Sequence, residues 1–238
     1  MKKMTTVATA GLAAVSLSFA LVGCGSDSKT ETKTSTSTST STSAATSTST
    51  STEAAPTPSQ AAGTNKTIAD YLKENNIQEV APIKPGTPGS PTIELPKLQG
   101  WSDAAGQTPP DATGALIFDT PDDPASPPSI IWVVSKLTGN ADPKKILELA
   151  PGELQNLPSW EPLGPPNNST LSGFDAIQFG GNFTKDGKKR IIAQKTAVIP
   201  GKDGSLYVLQ MNAVALDGQE RPLMDATSEI DKSAKITP

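Results

Sequence analysis

Side chains able to do covalent or acid–base chemistry near neutral pH are scarce in this 238-residue sequence, which has no histidine and a single cysteine, Cys24. The lack of histidine excludes Ser-His-Asp hydrolysis, imidazole-bound zinc and the usual proton shuttle at neutral pH. Carboxylates, lysines and tyrosines remain, but no phosphate-binding loop, nucleophile elbow or calcium loop accompanies them. We therefore predict a non-enzymatic protein with no cofactor and no metal.

Two charged groups have simple structural explanations. Asp119, Asp122 and Asp123 lie among prolines after a predicted strand, which favours a solvated turn over a Ca²⁺ site. The basic run Lys188-Lys189-Arg190 is typical of a hairpin flank, and contact with anionic lipid headgroups is its alternative. Residues 66–238 contain 16 Lys and Arg against 21 Asp and Glu, a net charge of −5. Nucleic acid is therefore not an expected partner.

The aromatic residues are the best candidates for a ligand site. Trp132 lies in the most apolar segment, Ile130–Val134, and is expected in the core. Trp101 and Trp160 occur in loop or strand-edge contexts, where amphipathic rings suit both sugar faces and acyl chains. Together with Tyr71, they are our predicted pocket residues.

The first 24 residues have the layout of a lipoprotein export signal. Lys2 and Lys3 precede an uncharged stretch, Val7–Val22, that is short for a membrane span. Leu21-Val22-Gly23-Cys24 matches the lipobox, at which the signal peptide is cut and the Cys24 thiol receives a diacylglyceryl group. We predict cleavage of residues 1–23 and an extracytoplasmic protein lipid-anchored at Cys24, with partial shedding left open.

Residues 24–65 are predicted to form a disordered stalk. Between Thr30 and Thr52, 19 of 23 residues are Ser or Thr, which cannot build a core. The stalk either carries O-linked sugars that stiffen it or is a bare flexible linker, and the intact mass of the mature protein distinguishes the two.

Three helices are predicted in residues 66–238. The first runs from Thr67, its N-cap, to Asn75, with Asp70 at the third helical position. The second opens at Asp142-Pro143 and is broken or kinked by Pro151. The last, Arg221–Lys235, places apolar residues at helical spacing.

The strand pattern predicts an antiparallel meander in the second half of the chain, where Gly180-Gly181 indicates a bulge or a close backbone approach. Two strands are apolar on both faces and so need cover on both. We predict an α+β fold, an α/β/α sandwich with a six- or seven-stranded, mostly antiparallel sheet and helices on both faces. The predicted strands are Thr92–Leu95, Gly114–Asp119, Ser129–Leu137, Gly173–Phe183, Lys189–Ile199 and Ser205–Leu216.

The order of these features resembles the LpqN/LpqT family of mycobacterial lipoproteins. The resemblance rests on the Cys24 lipobox, the Thr-rich stalk, the helix from Thr67 to Leu72, Pro91-Thr92-Ile93, Gly100-Trp101 and Asp142-Pro143. It implies a single PsbP-like α/β/α domain over residues 66–238. It also implies an accessory role in the lipid-rich envelope, with no catalytic residues.

We therefore expect an envelope lipoprotein that binds trehalose- or mycolate-type glycolipids and assists their transport or envelope biogenesis. An apolar cavity between the sheet and the helices would hold the acyl chains. An envelope lipid transporter or a host protein is the expected protein partner. The alternative is a protein-interaction module without a ligand cavity, and a carboxylate-dependent hydrolase is a third hypothesis.

The anchor prediction is tested by Cys24→Ala expressed in a bacterial host. Because two acyl chains hold a protein stably to a bilayer, the unaltered protein should stay with membranes through a salt wash and the variant should not. Immunoblots of washed membranes measure this. Membrane retention of the variant equal to that of the unaltered protein would contradict the prediction.

Overall fold

The computed structural model describes residues 65–238, so Cys24, the predicted signal peptide and the predicted stalk up to residue 64 lie outside the described residues. The helices of this part are α1 (Ile68–Glu74), α2 (Pro143–Leu149), α3 (Pro151–Gln155) and α4 (Glu220–Ser233), with a 3₁₀ turn at Ala105–Gln107. Its strands are β1 (Gln78–Val80), β2 (Thr92–Glu94), β3 (Trp101–Asp103), β4 (Gly114–Phe118), β5 (Ser129–Thr138), β6 (Glu161–Pro162), β7 (Asn167–Leu171), β8 (Phe174–Lys185), β9 (Lys188–Pro200), β10 (Leu206–Leu216) and β11 (Lys235–Thr237).

One large antiparallel sheet organises these elements. Seven strands follow in the order β3-β4-β5-β10-β9-β8-β6, and β1 and β7 add to β5 and β8, which makes nine. The sheet exceeds the predicted six or seven strands because β1, β3, β6 and β7 lie outside the predicted strands. Strands β3 and β6 have only three and two residues, β1 is exposed throughout, and β7 is mostly Asn, Ser and Thr, so none of them shows an apolar alternation. The predicted strand at Thr92 is β2, which pairs with β11 in a separate two-stranded ladder.

The sheet is covered on both faces, which confirms the predicted sandwich. Alternate β10 residues, including Tyr207, Leu209 and Met211, pack with α4 in one apolar cluster. Their neighbours Leu206, Val208 and Val214 pack with α1, α2 and α3 in the other. We refer to these two sides as the α4 face and the α1–α3 face.

Local sequence signals account for the helix boundaries. The predicted capping box of α1 is confirmed: the Thr67 side chain accepts from the Asp70 backbone, and Asp70 accepts from the Thr67 backbone. These hydrogen bonds hold the pKa of Asp70 below its ordinary value. Pro151 divides the predicted second helix into α2 and α3, because proline cannot donate a helical hydrogen bond.

Gly180 and Gly181 serve a close backbone approach and not a bulge. The β8–β9 register runs without interruption from Ala176 opposite Ala197 to Lys185 opposite Lys188. A Cβ atom on Gly181 would lie 2.5 Å from the Trp160 ring and 2.6 Å from the Glu161 carbonyl oxygen. Trp160 and β6 can therefore lie against β8 only because residue 181 has no side chain.

The first described residue, Asn65, is joined by hydrogen bonds to Asn156 at the end of α3, a contact that we call the asparagine corner. Asn65 donates from its backbone and side chain to Asn156 Oδ1, and Asn156 Nδ2 donates to the Asn65 carbonyl at 2.8 Å. A Cβ on Gly152 would lie 2.0 Å from the Lys66 carbonyl oxygen, so α3 is in close backbone contact with this segment. The start of the domain is thus fixed to α3.

Four uncharged polar side chains interrupt the apolar α1–α3 face: Gln194, Thr196, Gln210 and Asn212. Gln194 Nε2 donates to Asn212 Oδ1 at 2.8 Å, and Gln210 Nε2 lies 3.5 Å from Glu153 Oε2. Burial, with a smaller contribution from the nearby carboxylates Glu79 and Asp70, raises the pKa of Glu153 to about 7, although the hydrogen bond with Gln210 acts to lower it.

Replacing Gly181 with alanine should destabilise the domain. The added methyl group meets a ring and a backbone carbonyl, so we expect a loss of about 1–3 kcal/mol in the free energy of unfolding. Gly164→Ala is the matched control, since a Cβ there has nothing within 4 Å. Thermal unfolding of both variants measures the effect. Equal midpoints would show that Trp160 does not pack closely against residue 181.

The raised pKa of Glu153 predicts a specific pH dependence. The folded state binds more protons than the unfolded state between about pH 4.5 and 7, so this group costs stability as the pH rises through that window. Glu153→Gln should therefore gain stability relative to the unaltered protein between pH 5 and pH 8, on the order of 2 kcal/mol.

Urea denaturation of both proteins at pH 5 and pH 8 provides the measurement. Glu94→Gln, which changes an exposed carboxylate of β2, serves as the control and should show no such trend. A stability difference for Glu153→Gln that stays constant across this pH range would show that Glu153 titrates at its ordinary pKa.

Candidate functional site

A groove of about 570 Å³ opens on the α4 face, at the β3 edge of the sheet. This volume lies within the range of small-molecule sites, roughly 300–1,000 Å³. One wall is the first half of α4, and the other is the segment from Lys97 to Trp101 with Phe118 of β4 beside it. The lining residues are Lys97, Leu98, Gln99, Trp101, Phe118, Arg221, Pro222, Asp225, Ala226 and Glu229. We call it the α4 groove.

The two aromatic residues of the α4 groove are held together by strand pairing. Trp101 lies opposite Phe118 in the β3–β4 ladder, with ring centroids 5.5 Å apart and planes inclined by 58°. Gly100 precedes this pair with φ +76°, and a Cβ there would lie 3.1 Å from the Phe118 ring. A glycine is therefore required for the chain to turn past Phe118 and place Trp101.

Charged side chains form the rim. Arg221, Asp225 and Glu229 follow one another at four-residue spacing on α4, and exposed Lys97 belongs to the opposite wall. Within residues 65–238, none of these four forms an ion pair. Glu229 Oε1 accepts a hydrogen bond from Ser233 Oγ at 2.6 Å, and the other donors and acceptors of these side chains can hydrogen-bond a polar group lying over the aromatic pair.

Between α4 and the sheet, the described residues leave a small pocket that has no room for the acyl chains of the predicted cavity. A pocket beside Met211, Ala213 and Ile230 has only about 20 Å³, room for about one water molecule. At its margin Lys195 Nζ lies 2.5 Å from Asp231 Oδ1 and 3.3 Å from Ser169 Oγ. This ion pair joins α4 to β9.

The three predicted pocket residues do not meet at one site. Trp101 lines the α4 groove. Trp160 packs on the α1–α3 face, over Gly181. Tyr71 is buried on the same face, and its hydroxyl accepts from the Asp142 backbone at 3.1 Å, which ties α1 to the start of α2. Trp132 packs against the α4-side core, as predicted.

Sequence reasoning missed Phe118, Lys97 and the charged α4 row. A signal for the row exists, because Arg221, Asp225 and Glu229 share one helical stripe beside the small residues Pro222 and Ala226. Which strand this stripe faces depends on tertiary packing. For Phe118, only its pairing with Trp101 shows that it belongs to the groove.

Two lysines of the basic run, Lys188 and Lys189, have carboxylate partners within the domain, whereas Arg190 is buried and its Nε has no hydrogen-bond partner among the described residues. Lys188 pairs with Asp123 at 3.0 Å and lowers the pKa of that carboxyl, and Lys189 lies 3.5 Å from Glu161. Across the described part of the chain, no three acidic or cysteine side chains are placed to hold a metal ion. Nor does any helix in residues 65–238 have the length and apolarity to cross a bilayer.

Comparison with known proteins agrees with the resemblance read from the sequence. A family model described as "Probable lipoprotein LpqN" matches residues 64–237. The chain is 50 % identical over 234 residues to lipoprotein LpqN of Mycobacterium tuberculosis (strain ATCC 25618 / H37Rv), covering 97 % of this chain and 98 % of the relative.

A solved structure extends the match to three dimensions. The crystal structure of LpqN involved in cell envelope biogenesis of Mycobacterium tuberculosis superposes with a TM-score of 0.70 at 48 % identity. The match covers 74 % of this chain and all of that one. The family model, the sequence identity and the shared fold together establish that this chain belongs to the LpqN family of lipoproteins.

Proposed function

We propose that this protein is a lipid-anchored, non-enzymatic accessory of the cell envelope that binds glycolipids of the trehalose and mycolate type in the α4 groove. In this role it assists their transport or the building of the envelope. The observation that most directly supports this proposal is the α4 groove itself, where an aromatic pair lies under a rim of four charged side chains. The solved relative is described as involved in cell envelope biogenesis.

The aromatic pair, Trp101 and Phe118, can bind the apolar surfaces of such a ligand. A sugar ring or the start of an acyl chain can lie on the Trp101 ring, whose apolar face is large and rigid. Leu98, Pro222 and Ala226 continue the apolar lining between the two walls. The ligand would thus bury apolar surface against a preformed floor.

The rim suits the hydroxyl groups. Carboxylates of Asp225 and Glu229 accept hydrogen bonds, while Lys97 and Arg221 donate them. Because the rim carries two positive and two negative groups, it favours a neutral, hydroxyl-rich headgroup over a strongly charged one. The pocket beneath α4 is too small for an acyl chain, so acyl chains would lie along the open groove.

A non-enzymatic role is supported by the placement of the carboxylates. Glycosidases hold two carboxyl groups on opposite sides of the bond that they cleave. Asp225 and Glu229 lie one turn apart on the same wall of the α4 groove, and so approach a ligand from one side. The chain also has no histidine to activate water.

The anchor and the partners complete the proposal. Cys24 with its diacylglyceryl group would hold the protein at the outer face of the membrane, where an envelope lipid transporter could deliver or receive the glycolipid. The alternative, a protein-interaction module, requires an exposed apolar surface elsewhere on the domain and no ligand in the groove.

Trp101→Ala should weaken binding of a single-chain trehalose ester at least ten-fold, which corresponds to about 1.4 kcal/mol. The reason is the loss of the largest apolar surface in the groove. Isothermal titration calorimetry measures the dissociation constant, with free trehalose and the free fatty acid as partial ligands. Arg221→Ala, a change at an exposed rim position, should weaken binding without unfolding the protein.

The matched control is Trp160→Ala, because this tryptophan lies on the α1–α3 face. It should leave the dissociation constant within two-fold of the original. Equal losses for both tryptophan variants, or no binding by the unaltered protein, would overturn the proposal. Release of trehalose from the ester during the titration would instead establish a hydrolase.

A further inference from the structure

Arg190 is a buried cation to which residues 65–238 supply no direct counter-ion. The residue is only 5 % exposed. Within this part of the chain it forms no ion pair, and its buried Nε has no hydrogen-bond acceptor. Lys195, which is buried to a similar extent, is paired with Asp231. A guanidinium removed from water destabilises a fold unless an anion compensates its charge.

Strand pairing places Arg190 on the α1–α3 face, among apolar side chains. It lies opposite Phe183 of β8 and Leu216 of β10. Ile192, two residues further along β9, belongs to the apolar cluster of this face, and alternate residues of a strand share a face. The side chains of these neighbours have no hydrogen-bond acceptor. An anion for Arg190 must therefore come from outside the sheet.

Lys188 shares this face with Arg190, whereas Lys189 does not. Lys188 precedes Arg190 by two residues, so the two cations lie on the same side of β9, roughly 7 Å apart along the strand. Lys189 is on the other side, with Ile191 of the α4-side cluster, and is paired with Glu161. Lys188 and Arg190 can therefore approach one anion together.

Asp123 is the carboxylate beside these two cations, and both of its oxygens are engaged. Oδ2 accepts from Lys188 Nζ at 3.0 Å, and Oδ1 accepts from the Ala125 backbone at 3.0 Å. The hydrogen bond from Lys188 makes the largest contribution to lowering the pKa of Asp123, and the charge of Arg190 adds a smaller one without an ion pair. Asp123 thus neutralises Lys188 and leaves Arg190 without a direct partner.

The ion pair of Lys188 with Asp123 can be exchanged for a ligand. Its side chains are 51 % and 33 % exposed, and surface ion pairs of this kind contribute little to stability. An anion that displaced Asp123 from Lys188 would meet Arg190 on the same face. A phosphate group presents more acceptor oxygens and more charge than a carboxylate, so it can accept from an ammonium and a guanidinium together.

We propose that Lys188 and Arg190 form a binding site for a phosphate group, and that Asp123 takes the place of the ligand on Lys188 when the site is empty. The phosphate group belongs either to a free anion or to the headgroup of a phospholipid. This site is separate from the α4 groove, which lies on the other face of the sheet.

Isothermal titration of inorganic phosphate into the full chain with Cys24→Ala tests the site, with chloride at equal ionic strength as the reference. Arg190→Met and Lys188→Gln should each weaken phosphate binding at least ten-fold. Asp123→Asn should tighten it at least three-fold, because this variant lacks the competing carboxylate. If the contact between Lys188 and Asp123 were only structural, Asp123→Asn would not strengthen binding.

Thermal unfolding provides a second measurement, which separates loss of the site from loss of the fold. In chloride, Arg190→Met should be at least as stable as the reference chain, because it removes a buried charge that has no partner. In phosphate, the reference chain should unfold at a higher temperature and Arg190→Met should show no change. Lys188→Gln, at an exposed position, keeps the test valid if Arg190→Met does not fold.

The matched control is Lys189→Gln, which removes the same charge from the other face of β9. It should leave phosphate binding within two-fold of the original. Equal losses for the two lysine variants, weaker binding by Asp123→Asn, or no phosphate binding by the reference chain would overturn the proposal. Trp101→Ala should not affect phosphate binding, so this site and the α4 groove can fail independently.

Phosphatidylglycerol vesicles distinguish the two sources of the phosphate group. A lipid headgroup requires that the Cys24→Ala chain bind these vesicles, that inorganic phosphate displace it, and that Lys188→Gln abolish the binding. A free anion requires phosphate binding without binding to vesicles. Vesicle binding that is unaffected by both phosphate and Lys188→Gln would place the lipid contact elsewhere and overturn the headgroup source.

Discussion

The whole domain depends on burying a meander whose strands are apolar on both faces. In β10 almost every residue is buried, so water must be excluded above and below the same strand. A strand of this kind is stable only between two layers, which requires helices on both sides of the sheet. Helix α4 supplies one layer, and α1, α2 and α3 supply the other.

That requirement explains why the architecture was predictable from the sequence. The turns after Lys185 and Pro200 are marked by glycine and aspartate, and the strands that they join contain long apolar runs. Thr67 and Asp142 mark helix starts through their own side-chain hydrogen bonds. Such local signals need no knowledge of tertiary contacts.

The candidate site was only partly predictable, because it depends on which face each side chain takes. Trp101 and Trp160 have similar sequence contexts, yet they lie on opposite faces of the sheet. Tyr71 is amphipathic like them, but its hydroxyl serves the junction between α1 and α2. Strands β1, β3, β6, β7 and β11 were not predicted, because they are short or carry no apolar alternation and form by pairing with the strands that were predicted.

The asparagine corner has a mechanical consequence for a protein held by one end. Under the proposed anchoring at Cys24, tension on the chain would enter the domain at Asn65 and pass first to Asn156 and to α1. The long β8–β9–β10 ladders and α4 come after these contacts on that path. Under this anchoring, a load on the chain before Asn65 would be borne by the asparagine corner before it reached the α4 groove.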